Sequence, residues 1–198
     1  MSSRARALAL LAASAAVGAL SSTERGRDVD RAAFRALNAH RSRRADAAFK
    51  GVTELGSIWS QVGGATVIAA SGRRGAAGRA LGAAATTWLL GQALKQLFAR
   101  PRPWVRYEGE GHHRLLILKP RGTSWPSSHP AVLLTFLTVI ERELRLAPPV
   151  RAGLTGLAGT VAASRVALGV HFPSDVASGL LMGRAVGLLW ADQGPAGR

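Results

Sequence analysis

Six apolar stretches recur along the chain, near residues 7–22, 57–71, 80–98, 130–140, 152–170 and 175–191, separated by charged or Pro/Gly-bearing connections. A bilayer core takes about 20 residues of helix, with a range of about 17–25. Several of the stretches are short on that count, and the mean hydropathy of +0.12 is modest. Small residues argue for a membrane bundle over a soluble all-α one, because Ala and Gly recur at helix-packing spacing. Gly78, Gly82 and Ala85, and Gly153, Gly156 and Gly159, would let transmembrane backbones approach closely. The expected fold is all-α, an integral membrane helical bundle of about six transmembrane helices with a site at one membrane face. Residues 24–56 differ, alternating charges with Val29, Phe34, Leu37, Ala45, Phe49 and Val52. They predict an amphipathic helical stretch at the outer interface, with an ordinary solvated connector as the alternative.

Length and charge refine this picture. At 198 residues the chain holds one compact unit. Residues 1–23 are expected to be a membrane anchor helix, with a cleaved signal peptide as the alternative, and residues 24–198 the membrane domain. A net charge of +15 would suggest nucleic acid in a soluble protein. The apolar segments, and the lack of a basic face interleaved with aromatics, argue against a nucleic-acid partner. Without cysteine there is neither a disulfide framework nor a thiolate metal site. Arg4, Arg6, Arg73, Arg74 and Arg79, and Arg142, Arg145 and Arg151 beyond the fourth stretch, belong inside by the positive-inside bias. Six crossings then place the 99–129 loop and the 171–174 turn together on the outer face.

Chemistry concentrates in those two places. Lys95 lies seven residues before Arg102-Pro103, Pro126-Ser127-Ser128-His129 follows, and Ser164-Arg165 precedes His171 and Asp175. Phosphoryl transfer spreads negative charge over equatorial oxygens, so a site for it needs fixed positive donors. Lys95, Arg102 and Arg165 can supply them. Pro101 and Pro103 should end the helix carrying Lys95 near Arg100 and leave Arg102 on the loop. A helix beginning near His129 would offer free N–H groups to an anion, with Ser127 donating from its side chain and Ser128 from its backbone. Ser164, two turns before His171 on the same helical face, would add a hydroxyl. His171 and Asp175 are within reach of each other if the chain is helical or turns at Pro173, so the carboxylate can set the imidazole tautomer. His40, His112 and His113 are expected to be surface residues, and beyond His129 and His171 there is no convergent metal-ligand spacing.

In order and spacing these three clusters resemble the signature motifs of the type 2 phosphatidic acid phosphatase superfamily, which also contains vanadium haloperoxidases. Ser128 stands where glycine is more usual; serine is small and keeps its backbone N–H. The resemblance implies a membrane lipid-phosphate phosphatase without metal or other cofactor. His171 would be the nucleophile that forms a phosphohistidine, His129 the acid and then base, and Asp175 the partner of His171. Lys95, Arg102, Ser127, Ser128, Ser164 and Arg165 would bind phosphate. It further implies membrane lipids as surroundings, a bacterial inner membrane with the site outside the cytoplasm, and a lipid phosphate or diphosphate as substrate. Polyprenyl phosphates, phosphatidic acid and phosphatidylglycerol phosphate are the substrates it permits. A phosphotransferase with the same residues and a non-catalytic binder of anionic lipid are the alternatives. The 104–123 segment is the expected place of headgroup selection, and the oligomeric state is left open.

Overall fold

A computed structural model describes residues 1–39, 41–108 and 113–193. His40 and His112 lie outside the described residues, as does part of the 104–123 segment. Among the described residues all the regular secondary structure is helical. Six long helices occupy the six apolar stretches: α1 (Ser3–Leu20), α4 (Ile58–Ala70), α5 (Arg74–Leu97), α7 (Ser128–Glu143), α8 (Pro148–Ala167) and α9 (Pro173–Ala191). The charged 24–56 region forms α2 (Glu24–Leu37) and α3 (Arg43–Thr53), followed by a 3₁₀ turn at Glu54–Gly56, and a single turn, α6 (Pro103–Arg106), follows the fifth stretch.

The boundaries follow local chemistry. Hydroxyls of Ser2, Thr23, Ser42 and Ser57 accept from the first-turn amides of α1, α2, α3 and α4. Proline opens α6, α8 and α9, where a missing N–H costs nothing. α5 stops at Leu97, three residues short of Arg100, because Phe98 is already extended and the residue before Pro101 disfavours the helical region.

α7 is the central helix, packed on α5, α8 and α9, while α1 covers α9 and α4 covers α5. The close approach that holds α7 on α9 comes from Gly179, Gly183 and Gly187. A Cβ on these would come within 2.4 Å of the Ser127 carbonyl, 2.3 Å of the Ala131 carbonyl and 2.6 Å of Thr138. This corrects the packing role expected of Gly78, Gly153, Gly156 and Gly159, which have nothing within 4 Å of a built Cβ; Gly82 does meet Trp190, at 3.1 Å. Polar contacts join the same helices. Thr87 and Thr135 hydroxyls meet at 2.9 Å between α5 and α7, and Ser14 and Ser178 exchange hydroxyl-to-carbonyl bonds between α1 and α9. By length and composition alone, α1 is the one helix among the described residues apolar enough to cross a membrane, and α4 is a shorter apolar helix. The other long helices carry inward polar residues such as Lys95, Glu141, Arg165 and Arg184, which lower their hydropathy.

α2 and α3 lie across the end of the bundle where α5 ends and α7 and α9 begin, with α3 against α8. Phe34 is fully buried there, against Tyr107 and Phe172, whereas Val29 and Leu37 are exposed.

Candidate active site

α8 ends in a Schellman turn. Gly169 adopts φ +83°, its N–H bonds the Val166 carbonyl, and the Val170 N–H bonds the Arg165 carbonyl at 3.1 Å. Only glycine fits, since a Cβ would lie 2.1 Å from the Arg114 carbonyl as well as meeting the left-handed strain. The turn throws His171 off the helix and back over the bundle end. Ser164 and His171 therefore do not share one helical face as the spacing suggested.

His171 is buried and held from both sides. An Arg102 guanidinium N–H reaches its Nε2 at 3.2 Å, while Nδ1 lies 3.5 Å from an Asp175 carboxylate oxygen and 3.5 Å from the Ser124 hydroxyl. Arginine only donates, so Nε2 is an acceptor with its lone pair facing the cations, and Nδ1 carries the proton toward Asp175. Burial, followed by the charges of Arg102, Arg165 and Lys95, holds the His171 imidazole well below its ordinary range, and so neutral.

The three cations converge on one cleft of about 280 Å³ that Lys95, Arg102, Ser128, His129, Arg165 and His171 line. No carboxylate lines it among the described residues. Lys95, in the last turn of α5, donates to the Ser128 hydroxyl at 3.0 Å. Space for that hydroxyl comes from Gly91, whose missing Cβ would lie 3.1 Å from it. Arg102 is fixed by the carbonyls of Gly122, at 2.9 Å, and Val170, at 3.0 Å. Burial lowers it to about 10, which leaves it charged at neutral pH. Arg165 donates to Thr53 at 3.0 Å and keeps a buried Nε that has no partner among the described residues. His129 stands at the start of α7, where the 3₁₀ turn presses in; a Cβ on Gly56 would come within 2.7 Å of His129 Cβ. Ile58, Trp59 and Trp88 make the mouth apolar.

Two expected phosphate ligands sit differently. Ser164 does not line the cleft, and its hydroxyl donates to the Val161 carbonyl at 2.6 Å. Ser127 is wholly buried, with a hydroxyl that has no partner among the described residues, while its amide donates to the Asp175 carbonyl at 3.1 Å. His113 is not a free surface group either. It is half-buried, hydrogen-bonds the Gly169 carbonyl at 3.0 Å and stacks on Phe34.

Behind His171 lies an assembly that sequence reasoning missed. Asp175 accepts from Arg100 at 2.5 Å on one oxygen, and from the Phe172 amide at 2.8 Å and the Ser124 hydroxyl on the other. Arg100 also bonds Asp30 of α2 at 2.5 Å and lies over the Phe172 ring at 4.6 Å. Asp30 in turn accepts from the Ser174 amide at 2.9 Å. The available signal was the doubled Arg-Pro of Arg100-Pro101-Arg102-Pro103, whose first arginine was read only as a helix end. Asp30 carried no signal in a charged amphipathic segment.

A family model described as the PAP2 superfamily matches residues 76–196. Two solved structures share the architecture. The first transmembrane PAP2 type phosphatidylglycerolphosphate phosphatase from Bacillus subtilis is 22% identical, with a TM-score of 0.76 over 93% of this chain and 94% of its own. Aquifex aeolicus LpxE is 27% identical, with a TM-score of 0.71 over 79% of this chain and 91% of its own. No curated protein matches the sequence.

Proposed function

The chain belongs to the PAP2 superfamily, and from that premise we propose that it is an integral membrane phosphatase of lipid phosphates or diphosphates that works through a phosphohistidine on His171. The observation that carries this reading is that His171 Nε2, paired with Arg102, shares with Lys95, Arg102 and Arg165 a cleft that no carboxylate lines among the described residues. Such a cleft attracts a dianionic phosphoryl group and stabilises charge as it builds on the equatorial oxygens. Its mouth, with Trp59 and Trp88 exposed beside Ile58, suits a substrate whose phosphate enters from the membrane interface. The kinship with a phosphatidylglycerolphosphate phosphatase fold supports the same class.

In the first step Nε2 attacks phosphorus, the N–P bond forms and the P–O bond to the lipid breaks. His129 gives its proton to the departing oxygen. In the second, His129 takes a proton from water, the oxygen attacks phosphorus, and inorganic phosphate leaves as the N–P bond breaks. Asp175 stabilises the Nδ1–H tautomer throughout. Lys95, Arg102 and Arg165, with Ser128 and the first-turn amides of α7, hold the phosphoryl oxygens. Neither step calls for a metal.

Residues 1–23 serve as a retained anchor in this reading, because α1 buries Ala7 against α9 and shares the Ser14–Ser178 bonds with it. The site faces out of the cytoplasm of a bacterial cell, since Arg73, Arg74, Arg142 and Arg151 cluster at the opposite end.

Phosphate release by detergent-purified protein, with EDTA present, tests the proposal across phosphatidic acid, phosphatidylglycerol phosphate and polyprenyl mono- and diphosphates. Release from at least one lipid, lost in His171→Ala, is expected. Folded protein that releases phosphate from none would move the reading to a phosphotransferase or a non-catalytic lipid binder.

A further inference from the structure

On the far side of Arg100 from the catalytic cleft, two cavities meet. One, of about 290 Å³, is an apolar groove along the last two turns of α1, bounded by Ala15, Gly18, Ala19, Phe98 and Trp125. The other, of about 180 Å³, sits at the α1–α2 corner and is lined by Arg27, Arg31, Arg100, Arg106 and Tyr107. Ser22 and Arg100 line both, so the groove leads into the basic pocket. Among the described residues Asp30 is the one acid in the basic wall, and it already accepts from Arg100 and from the Ser174 amide and hydroxyl. The pocket is thus left with a surplus of positive charge. Arg31 lies 5.7 Å from the Tyr107 ring centroid, which holds it in place, and Arg27 is tied to the Ser22 carbonyl.

We infer that this composite cavity is a second lipid site, separate from the catalytic cleft, that takes a phospholipid with an anionic headgroup. This rests on the reading that α1 spans the membrane with Leu20 at the interface. The apolar groove then lies at acyl-chain depth in the outer leaflet, and the basic pocket lies directly above it at headgroup depth. The order of apolar and cationic surface matches a lipid standing in its own leaflet. The arginine fork is suited to a phosphodiester or similar anion. Arg100 walls this site and also holds Asp175, so a bound headgroup would brace the same guanidinium that supports the catalytic carboxylate.

The test is lipid retention by detergent-purified protein titrated with phosphatidylglycerol or phosphatidylcholine, read by native mass spectrometry and by thermal shift. The unsubstituted protein should retain phosphatidylglycerol at least about tenfold better than phosphatidylcholine. The exposed Arg106→Glu and the pocket substitution Arg31→Gln should each remove most of that preference while the protein stays folded. Ala19→Trp, which fills the groove from an exposed position, should weaken both lipids. Arg165→Ala, in the catalytic cleft, should leave the preference intact. Equal retention of the two lipids, a preference that survives both arginine substitutions, or its loss in Arg165→Ala would overturn the inference. None of these readouts depends on turnover, so an inactive protein could still show the site.

Discussion

Both ends of the bundle carry arginines on helices that pack against α7, and they treat them oppositely. At one end Arg79 donates to Glu143 at 2.7 Å and Arg184 to Glu141 at 2.8 Å, so each cation meets a carboxylate from the central helix. At the other, Lys95, Arg102 and Arg165 converge on one cleft, and Asp175 and Asp30 lie behind His171, engaged by Arg100. Cancelled charge joins helices. Charge left uncancelled within a fold is costly to keep, and its persistence around the proposed nucleophile marks the place where an anion would complete the balance.

The largest effect expected at the cleft end is that of His171→Ala, which should lower phosphate release by at least about 10⁴-fold, because it removes the group proposed to form the intermediate. Residual turnover within tenfold of the unsubstituted enzyme would sink the assignment. Arg165→Gln should cost about 10²–10³-fold in kcat, the scale of losing one donor to the developing charge.

That variant also tests pH dependence. Burial, and then the cations, hold His171 below the ordinary imidazole value of about 6.5. The neutral imidazole thus persists as pH falls, and the acid limb of kcat/KM should lie below about 6.5. With Arg165 gone, the imidazolium is less disfavoured and the limb should move to higher pH; an unmoved limb would show that His171 is not the group titrating. Stability runs the same way, since an unfolded chain takes up this proton first as pH falls below about 6.5, and folding weakens there.

A smaller loss is expected behind His171. Asp30→Asn breaks the brace on Arg100 without touching the cleft, and kcat should fall about 10-fold while KM moves less than about 3-fold, because it disturbs positioning and not binding. An equal rise in KM would mean that the segment shapes the substrate pocket instead. Smallest for catalysis is Arg184→Ala at the opposite end. It should leave kcat within about twofold and lower thermal stability by about 2 kcal/mol, because Glu141 would stay buried without its cation. A thermal-shift series beside the activity assay separates the two ends.

Much of this site could be read from sequence because its chemistry is carried by side chains at fixed spacing on helix ends. Lys95, Arg102, His129 and His171 needed only the prolines and apolar runs around them to be placed at one end. The braces were hidden for physical reasons. Asp30 lies far from Arg100 and Asp175 along the chain, and an acid in a charged amphipathic helix looks like a solvated one until the tertiary fold buries it. Gly56, Gly91 and Gly169 matter through what a Cβ would strike, which no spacing reveals. The glycines of α8 illustrate the reverse error, since recurrent small residues seat α9 on α7 through Gly179 and Gly183, four apart, whereas Gly153 and Gly156, three apart, face open space. The shift of Ser164 off the expected face came from the turn at Gly169, which ended the helix before His171.

The most direct test of the central claim is to trap the intermediate. Purified protein would be mixed with a short-chain lipid phosphate labelled in the phosphoryl group and quenched within a turnover, with the base-stable, acid-labile label located by peptide mass spectrometry. The account predicts label on His171, accumulation of it in His129→Ala where release is slowed, and none in His171→Ala. Label on another residue, or phosphate release that continues in His171→Ala, would contradict it.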